Sequence, residues 1–136
     1  NLIRELDKDL DNAIIAGVSI GGDPLVCSTC FHAFLSDVKF WPALIRKESK
    51  AYGAGKRVEI LNDIDKELPV YLLEDVVTTG GSSLKAVNAL KEEGYNVRAV
   101  LSLVDREEGG VQVFKDAGVD YQPIFTASQF LNHTDS

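Results

Sequence analysis

Residues Val70–Ser83 read VYLLEDVVTTGGSS, and this stretch decides the fold. Val70–Leu73 is an apolar run of strand-forming side chains, short enough for one buried strand. Glu74 and Asp75 stand where that strand is expected to end. Thr78, Thr79, Gly80, Gly81, Ser82 and Ser83 then supply hydroxyls and glycines ahead of a helical pattern opening near Leu84. A strand, a small-residue turn and a helix N-terminus leave free backbone N–H groups pointing outward, and the helix dipole adds about half a positive charge there. Glycine permits close approach, and the hydroxyls add donors. The turn is expected to hold a phosphate. The acid pair points to a sugar phosphate, because ionised carboxylates accept hydrogen bonds from ribose hydroxyls and can hold a hydrated Mg2+ beside a pyrophosphate. No Lys follows the glycines, so the Walker spacing fails, as does GxGxxG.

Working outward, Ala13–Val18 (AIIAGV) is a second buried-strand candidate, followed by the glycine turn Ser19–Pro24 and a helix over Leu25–Val38. Its apolar residues are Leu25, Val26, Phe31, Phe34 and Leu35, and it is expected to stop before Trp41-Pro42. Leu2, Ile3, Leu6 and Leu10 lie at helical spacing in the lead-in Asn1–Leu10. Ala43–Ile45 and Val58–Leu61 are short strands joined by RKESKAYGAGKR (Arg46–Arg57), which holds five of the 14 basic residues. That pattern suggests a mobile β-ribbon arm. Beyond the central motif come a helix over Leu84–Glu93, a strand over Val97–Val104 and the charged turn DREEGG (Asp105–Gly110). A helix over Val111–Ala117, a strand over Tyr121–Phe125 and a helical turn over Ala127–Leu131 complete the order. Alternating strands and helices predict an α/β fold with a mostly parallel central sheet flanked by helices on both faces. All three special turns fall at strand carboxyl ends, where such sheets bind ligands.

With 136 residues, 45% hydrophobic and 26% charged, residues 1–136 are expected to form one domain with a sizeable core. A net charge of −7 disfavours a general nucleic-acid binder, and no apolar run approaches a membrane span. Cys27 and Cys30 form a lone CxxC without further metal-ligand spacing. They read as buried core thiols, which fits a reducing cytoplasm.

The central string resembles the phosphoribosyl-pyrophosphate (PRPP) motif of type I phosphoribosyltransferases. GVSIGGDP (Gly17–Pro24) is similar to their pyrophosphate loop, RKESKAYG (Arg46–Gly53) to the catalytic loop of the orotate phosphoribosyltransferases, and DREEGG to the turn whose Arg faces orotate in that family. The resemblance implies a Rossmann-like type I fold with a β-ribbon catalytic loop. It further implies transfer of the 5-phosphoribosyl group from PRPP to orotate, giving orotidine 5′-monophosphate and pyrophosphate in pyrimidine biosynthesis.

The roles carried over are these. Thr79, Gly80, Gly81 and Ser82 hold the 5′-phosphate within a PRPP motif that also includes Val76 and Val77, and Glu74 and Asp75 bind the ribose hydroxyls. Ser19, Ile20 and Gly21 face pyrophosphate and its Mg2+, with Asp75 reaching the metal through water. Thr78 and Arg106 contact orotate. Arg46, Lys47 and Lys50 form the catalytic set with Asp75, Lys50 reaching across a homodimer interface from the partner subunit.

Two departures from the family pattern stand out. Tyr52 occupies a position where many bacterial members have His, and twelve residues precede the first core strand where members carry a longer N-terminal hood. A purine phosphoribosyltransferase and a non-catalytic PRPP-sensing regulator are the alternative readings. Arg106 could also pair with Glu107 or Glu108 at the surface.

Overall fold

The computed structural model describes residues 1–47, 57–60 and 63–131. Its centre is a six-stranded sheet in the order β3-β2-β1-β4-β5-β6. In chain order the elements are α1 (Leu2–Leu6), β1 (Asn12–Val18), α2 (Asp23–Leu35), β2 (Lys39–Ile45), β3 (Val58–Glu59) and β4 (Pro69–Val77). They continue with α3 (Gly81–Glu92), β5 (Asn96–Asp105), α4 (Gly110–Asp116), β6 (Asp120–Thr126) and α5 (Ala127–Leu131). All neighbouring strands pair in parallel except β2 and β3, which are antiparallel.

Strand alternation explains why the sheet needs cover on both faces. Ile14, Ala16, Leu72 and Val100 point to one side and pack with Val87 and Leu90 of α3 and Phe114 of α4. Ile15, Tyr71, Leu73 and Leu101 point to the other, against Ile3 of α1 and Val26 of α2. Each fully buried side chain of this size contributes about 1.5–3 kcal/mol of transfer free energy. Tyr71, buried in the second layer, gives its hydroxyl to Asp7, whose carboxylate also meets Arg98 at 3.5 Å. The sheet runs outward from β1 to β2 on one side and β4 on the other, so β1 and β4 flank the switch point where a crevice opens.

Several boundaries differ from the sequence expectation. Strand β4 does not end before the acids; it runs through Val77, because β5 continues the ladder with Glu74 opposite Ser102 and Val77 opposite Asp105. The buried run includes Glu74 and is interrupted at Asp75, while the backbone pairing continues. Helix α1 covers Leu2–Leu6 only. Helix α2 stops at Leu35, and β2 already includes Trp41 and Pro42. Proline is tolerated there because β3 pairs only with Leu44 and Ile45, leaving Pro42 on an edge.

The apolar pattern of α2 is not all core: Phe31, Phe34 and Leu35 are 65%, 76% and 66% exposed. Cys27 is exposed too, against expectation, while Cys30 packs on the core. Burial, with Cys27 adding, pushes the Cys30 thiol up to about 11. A helix on one side of a sheet buries only a stripe, and Cys27 lies outside it.

Candidate active site

Four segments meet at the carboxyl end of the sheet. After β4, Thr78 and Thr79 lead to Gly80, whose φ of 80° is left-handed and which stands at the N-cap of α3. No side chain caps this helix, and its first turn holds no acid. Its first N–H groups therefore have no intrahelical partner and no competing negative charge. Thr79, Gly81 and Ser82 are exposed there and Thr78 half-buried, a fit to an incoming anion.

After β1, Ser19 bonds through its N–H to the Ile45 carbonyl (2.9 Å) and through its hydroxyl to Asp23 (3.0 Å). The Ser19–Ile20 peptide is cis, and Ile20 is exposed. The loop lies against Asp75: a Cβ on Gly21 would come within 2.8 Å of its Oδ2. Only glycine lets this backbone and that carboxylate share the crevice.

The acid pair is split by the pleat. Asp75 is exposed, and its Oδ1 accepts the Val76 N–H at 2.8 Å. Glu74 is buried, 6% exposed, and accepts the Ser83 hydroxyl at 2.7 Å. Burial raises the Glu74 pKa, the Ser83 bond opposes it, Asp75 adds to the rise, and the Lys47 charge lowers it.

At the end of β2, the Arg46 N–H donates to the Arg57 carbonyl (2.8 Å) and Arg57 donates to the carbonyls of Arg46 and Lys47. These bonds form the base of the expected ribbon, and Arg46 pairs with Glu59 at 2.5 Å. Lys50 and Tyr52 lie outside the described residues, with most of the arm. In the fourth segment, the Arg106 N–H donates to the Val77 carbonyl (2.9 Å), and its half-exposed guanidinium pairs with Glu108 at 2.8 Å. Gly110 packs so close to Val77 that a Cβ there would lie 2.6 Å from Cγ1 and 3.3 Å from the Thr78 oxygen. The structure thus brings the segments bearing Ser19–Gly21, Arg46 and Lys47, Glu74–Ser82 and Arg106 to one edge of the sheet.

Among known proteins, the chain is 37% identical over 128 residues to an orotate phosphoribosyltransferase of Aquifex aeolicus, covering 93% of this chain and 68% of the relative. The chain belongs to the orotate phosphoribosyltransferase family. A second family member, from Sorangium cellulosum, is 40% identical over 117 residues, 86% of this chain and 61% of the relative. The chain thus spans about three-fifths to two-thirds of these two relatives' length. Among solved structures, orotate phosphoribosyltransferase of Mycobacterium tuberculosis H37Rv in complex with PRPP superposes with a TM-score of 0.70 and 26% identity, over 93% of this chain and 70% of that one. No family model matches the chain.

Buried Ser102 and Asp105 and half-buried Tyr121 had no role in the sequence reading, and Ser83 figured only as one of the turn's hydroxyls. Ser83 and Asp105 stood within quoted motifs and could have been singled out; Tyr121 reaches the site only through the pairing of β5 with β6.

Proposed function

We propose that the protein transfers the 5-phosphoribosyl group of PRPP to orotate, releasing pyrophosphate and giving orotidine 5′-monophosphate. The observation that carries this reading is the uncapped N-terminus of α3 at the β1–β4 switch point, with Glu74 and Asp75 at its mouth. Thr79, Gly80, Gly81 and Ser82 hold the 5′-phosphate, Glu74 and Asp75 meet the ribose hydroxyls, and Ser19, Ile20 and Gly21 line the pyrophosphate. Thr78 and Arg106 face the base; a guanidinium suits the orotate carboxylate because it can bind it through two N–H groups. The PRPP complex of the M. tuberculosis relative supports the same substrate here.

In the reaction a base nitrogen forms a bond to C1′ as the bond from C1′ to the pyrophosphate oxygen breaks. Negative charge grows on the departing pyrophosphate, so cations fixed beside it stabilise the transition state more than the ground state. Arg46 and Lys47 stand at the base of the ribbon beside that site, and Lys50 is assigned the same task. Removing one such contact typically costs about 3–4 kcal/mol, or roughly 10²–10³ in rate.

Mg2+ fits the residues present. Asp75 offers an exposed carboxylate against the Gly21 backbone. One carboxylate with substrate phosphates and waters is the usual Mg2+ arrangement. The ion, when bound, neutralises pyrophosphate charge.

The remaining assignments are that residues 1–136 form one core domain and that the protein is a homodimer exchanging Lys50 loops. Exposed Phe31, Phe34 and Leu35 supply apolar surface for such an interface. Two free thiols support a cytoplasmic location. No helix among the described residues is long and apolar enough to cross a membrane.

The test is to assay the complete protein with PRPP and Mg2+ against orotate, uracil, hypoxanthine and adenine. Turnover with orotate alone is expected; turnover with a purine instead, or with none, overturns the reading. Asp75→Asn is expected to weaken PRPP binding in calorimetry, and unchanged affinity removes Asp75 from the site.

A further inference from the structure

Beneath the Arg106 turn lies a buried polar cluster that the transfer chemistry does not itself use. Asp105 ends β5 and is 2% exposed. Its Oδ1 accepts the Glu107 N–H at 2.8 Å, spanning Arg106 as a carboxylate does in an Asx turn. Glu107 itself adopts a φ of 61°, a left-handed conformation that non-glycine residues take up only when held there. From the neighbouring strand, the Tyr121 hydroxyl shares a 2.8 Å bond with Ser102 and lies near the Asp105 charge. Burial raises the Tyr121 pKa, so the phenol keeps its proton and can donate. Its ring is fixed against Phe114, with centroids 4.6 Å apart. Outside the turn, the Glu107 carboxylate accepts the Ser128 N–H (2.8 Å) and hydroxyl (3.1 Å).

We propose that Asp105, supported by Tyr121, is a positioning residue that fixes the turn bearing Arg106 and thereby sets affinity for the anionic base. This rests on the reading of Arg106 as a base contact. The physical argument is one of satisfaction. A carboxylate removed from water needs hydrogen-bond donors, and here the turn supplies one in the Glu107 N–H. Its burial therefore selects the single turn conformation that supplies the Glu107 N–H. That conformation ties Arg106 at both sides, since its own N–H is bonded to Val77 at the end of the phosphate-loop strand. Loosening the turn leaves the phosphate loop intact but lets the guanidinium wander, a loss felt equally in ground and transition states. Such a loss raises KM for the base and leaves kcat nearly unchanged.

The experiment measures KM for orotate, kcat, PRPP affinity by calorimetry and Tm for the complete protein carrying Asp105→Ala, Asp105→Asn, Tyr121→Phe or Arg106→Ala. Asp105→Ala is expected to raise orotate KM about tenfold or more, the equivalent of losing a charge-assisted hydrogen bond, with PRPP affinity within about twofold. Asp105→Asn, whose amide oxygen can still accept the Glu107 N–H, should recover part of that loss, and Tyr121→Phe should give a smaller rise in the same direction. Asp105→Ala combined with Arg106→Ala should be no worse than Arg106→Ala alone. If Asp105→Ala does not fold, Asp105→Asn and Tyr121→Phe decide the matter: unchanged orotate KM in both overturns the proposal. Equal losses for PRPP and orotate also overturn it, since they mark general destabilisation. If Arg106→Ala leaves orotate KM unchanged, the base-contact reading falls and this proposal with it. If Arg106→Ala raises it and the Asp105 and Tyr121 variants do not, only the positioning role falls.

Discussion

Helices α2 and α3 both follow a central strand through a glycine turn at the carboxyl end of the sheet, yet they bury themselves differently. Helix α3 turns Ser83, Ala86, Val87, Ala89 and Leu90 inward, a compact stripe of small and apolar residues. Helix α2 buries only Val26 and Ala33 and carries Phe31, Phe34 and Leu35 outward. The first helix is finished by its own sheet. The second presents large apolar side chains to whatever lies beyond the chain. Apolarity along a helix thus does not by itself say that its side chains are buried against its own sheet.

The sharpest break of this contrast is on α3. Leu90→Ala empties a fully buried site and is expected to cost about 2–5 kcal/mol of unfolding free energy, a large part of the ~5–15 kcal/mol a domain possesses. Urea denaturation measures it, and a loss well under 1 kcal/mol would mean that α3 is not anchored as described. On α2, Phe34→Glu should leave Tm in dilute protein within a degree or two. It should weaken self-association by about tenfold or more, as removal of a central aromatic anchor does. Sedimentation velocity across a concentration series tests this, and unchanged association would place the interface elsewhere.

The smallest effect concerns Glu74, held by Ser83 on the inner side of α3. Its pKa is raised by burial, so ionising it is harder in the folded chain than in the unfolded one. The penalty is absent below the ordinary carboxylate pKa, grows between that value and the raised one, and is complete above it. Glu74→Gln, which can still accept the Ser83 hydroxyl, should therefore raise Tm modestly at pH 7 while weakening PRPP binding. The gain should vanish as pH falls through that window; a gain independent of pH would refute the cause given.

Much of this was legible in the sequence because the site is local. The turn Thr78–Gly81, the loop Ser19–Gly22 and the turn Asp105–Gly110 each sit in one continuous motif, and strand alternation alone places all three at the same edge. What escaped reading depends on partners distant in the chain. Nothing around Glu74 says that β5 carries the ladder past it, and nothing around Tyr121 says that it will meet Ser102 and Asp105. The fate of α2 was hidden for the opposite reason. Cys27, Phe31, Phe34 and Leu35 look like core because large apolar side chains usually are, and only the sheet's position shows that the stripe facing it is narrower.

The packing of Gly110 against the phosphate-loop strand bears on how such a site can be re-engineered. Gly80 and Gly110 meet backbone to backbone: a Cβ on Gly80 would lie 3.3 Å from the Gly110 Cα, and one on Gly110 would strike Val77 at 2.6 Å. The Val77 side chain that meets Gly110 is itself buried and has no room to absorb a mismatch, so residues 77–81 and 105–110 are fitted to each other at the glycines. Transplanting either alone from a relative would leave a gap or a clash along that seam. Chimeras should exchange both together, and libraries aimed at a new base should vary side chains facing the crevice while leaving the glycine seam untouched.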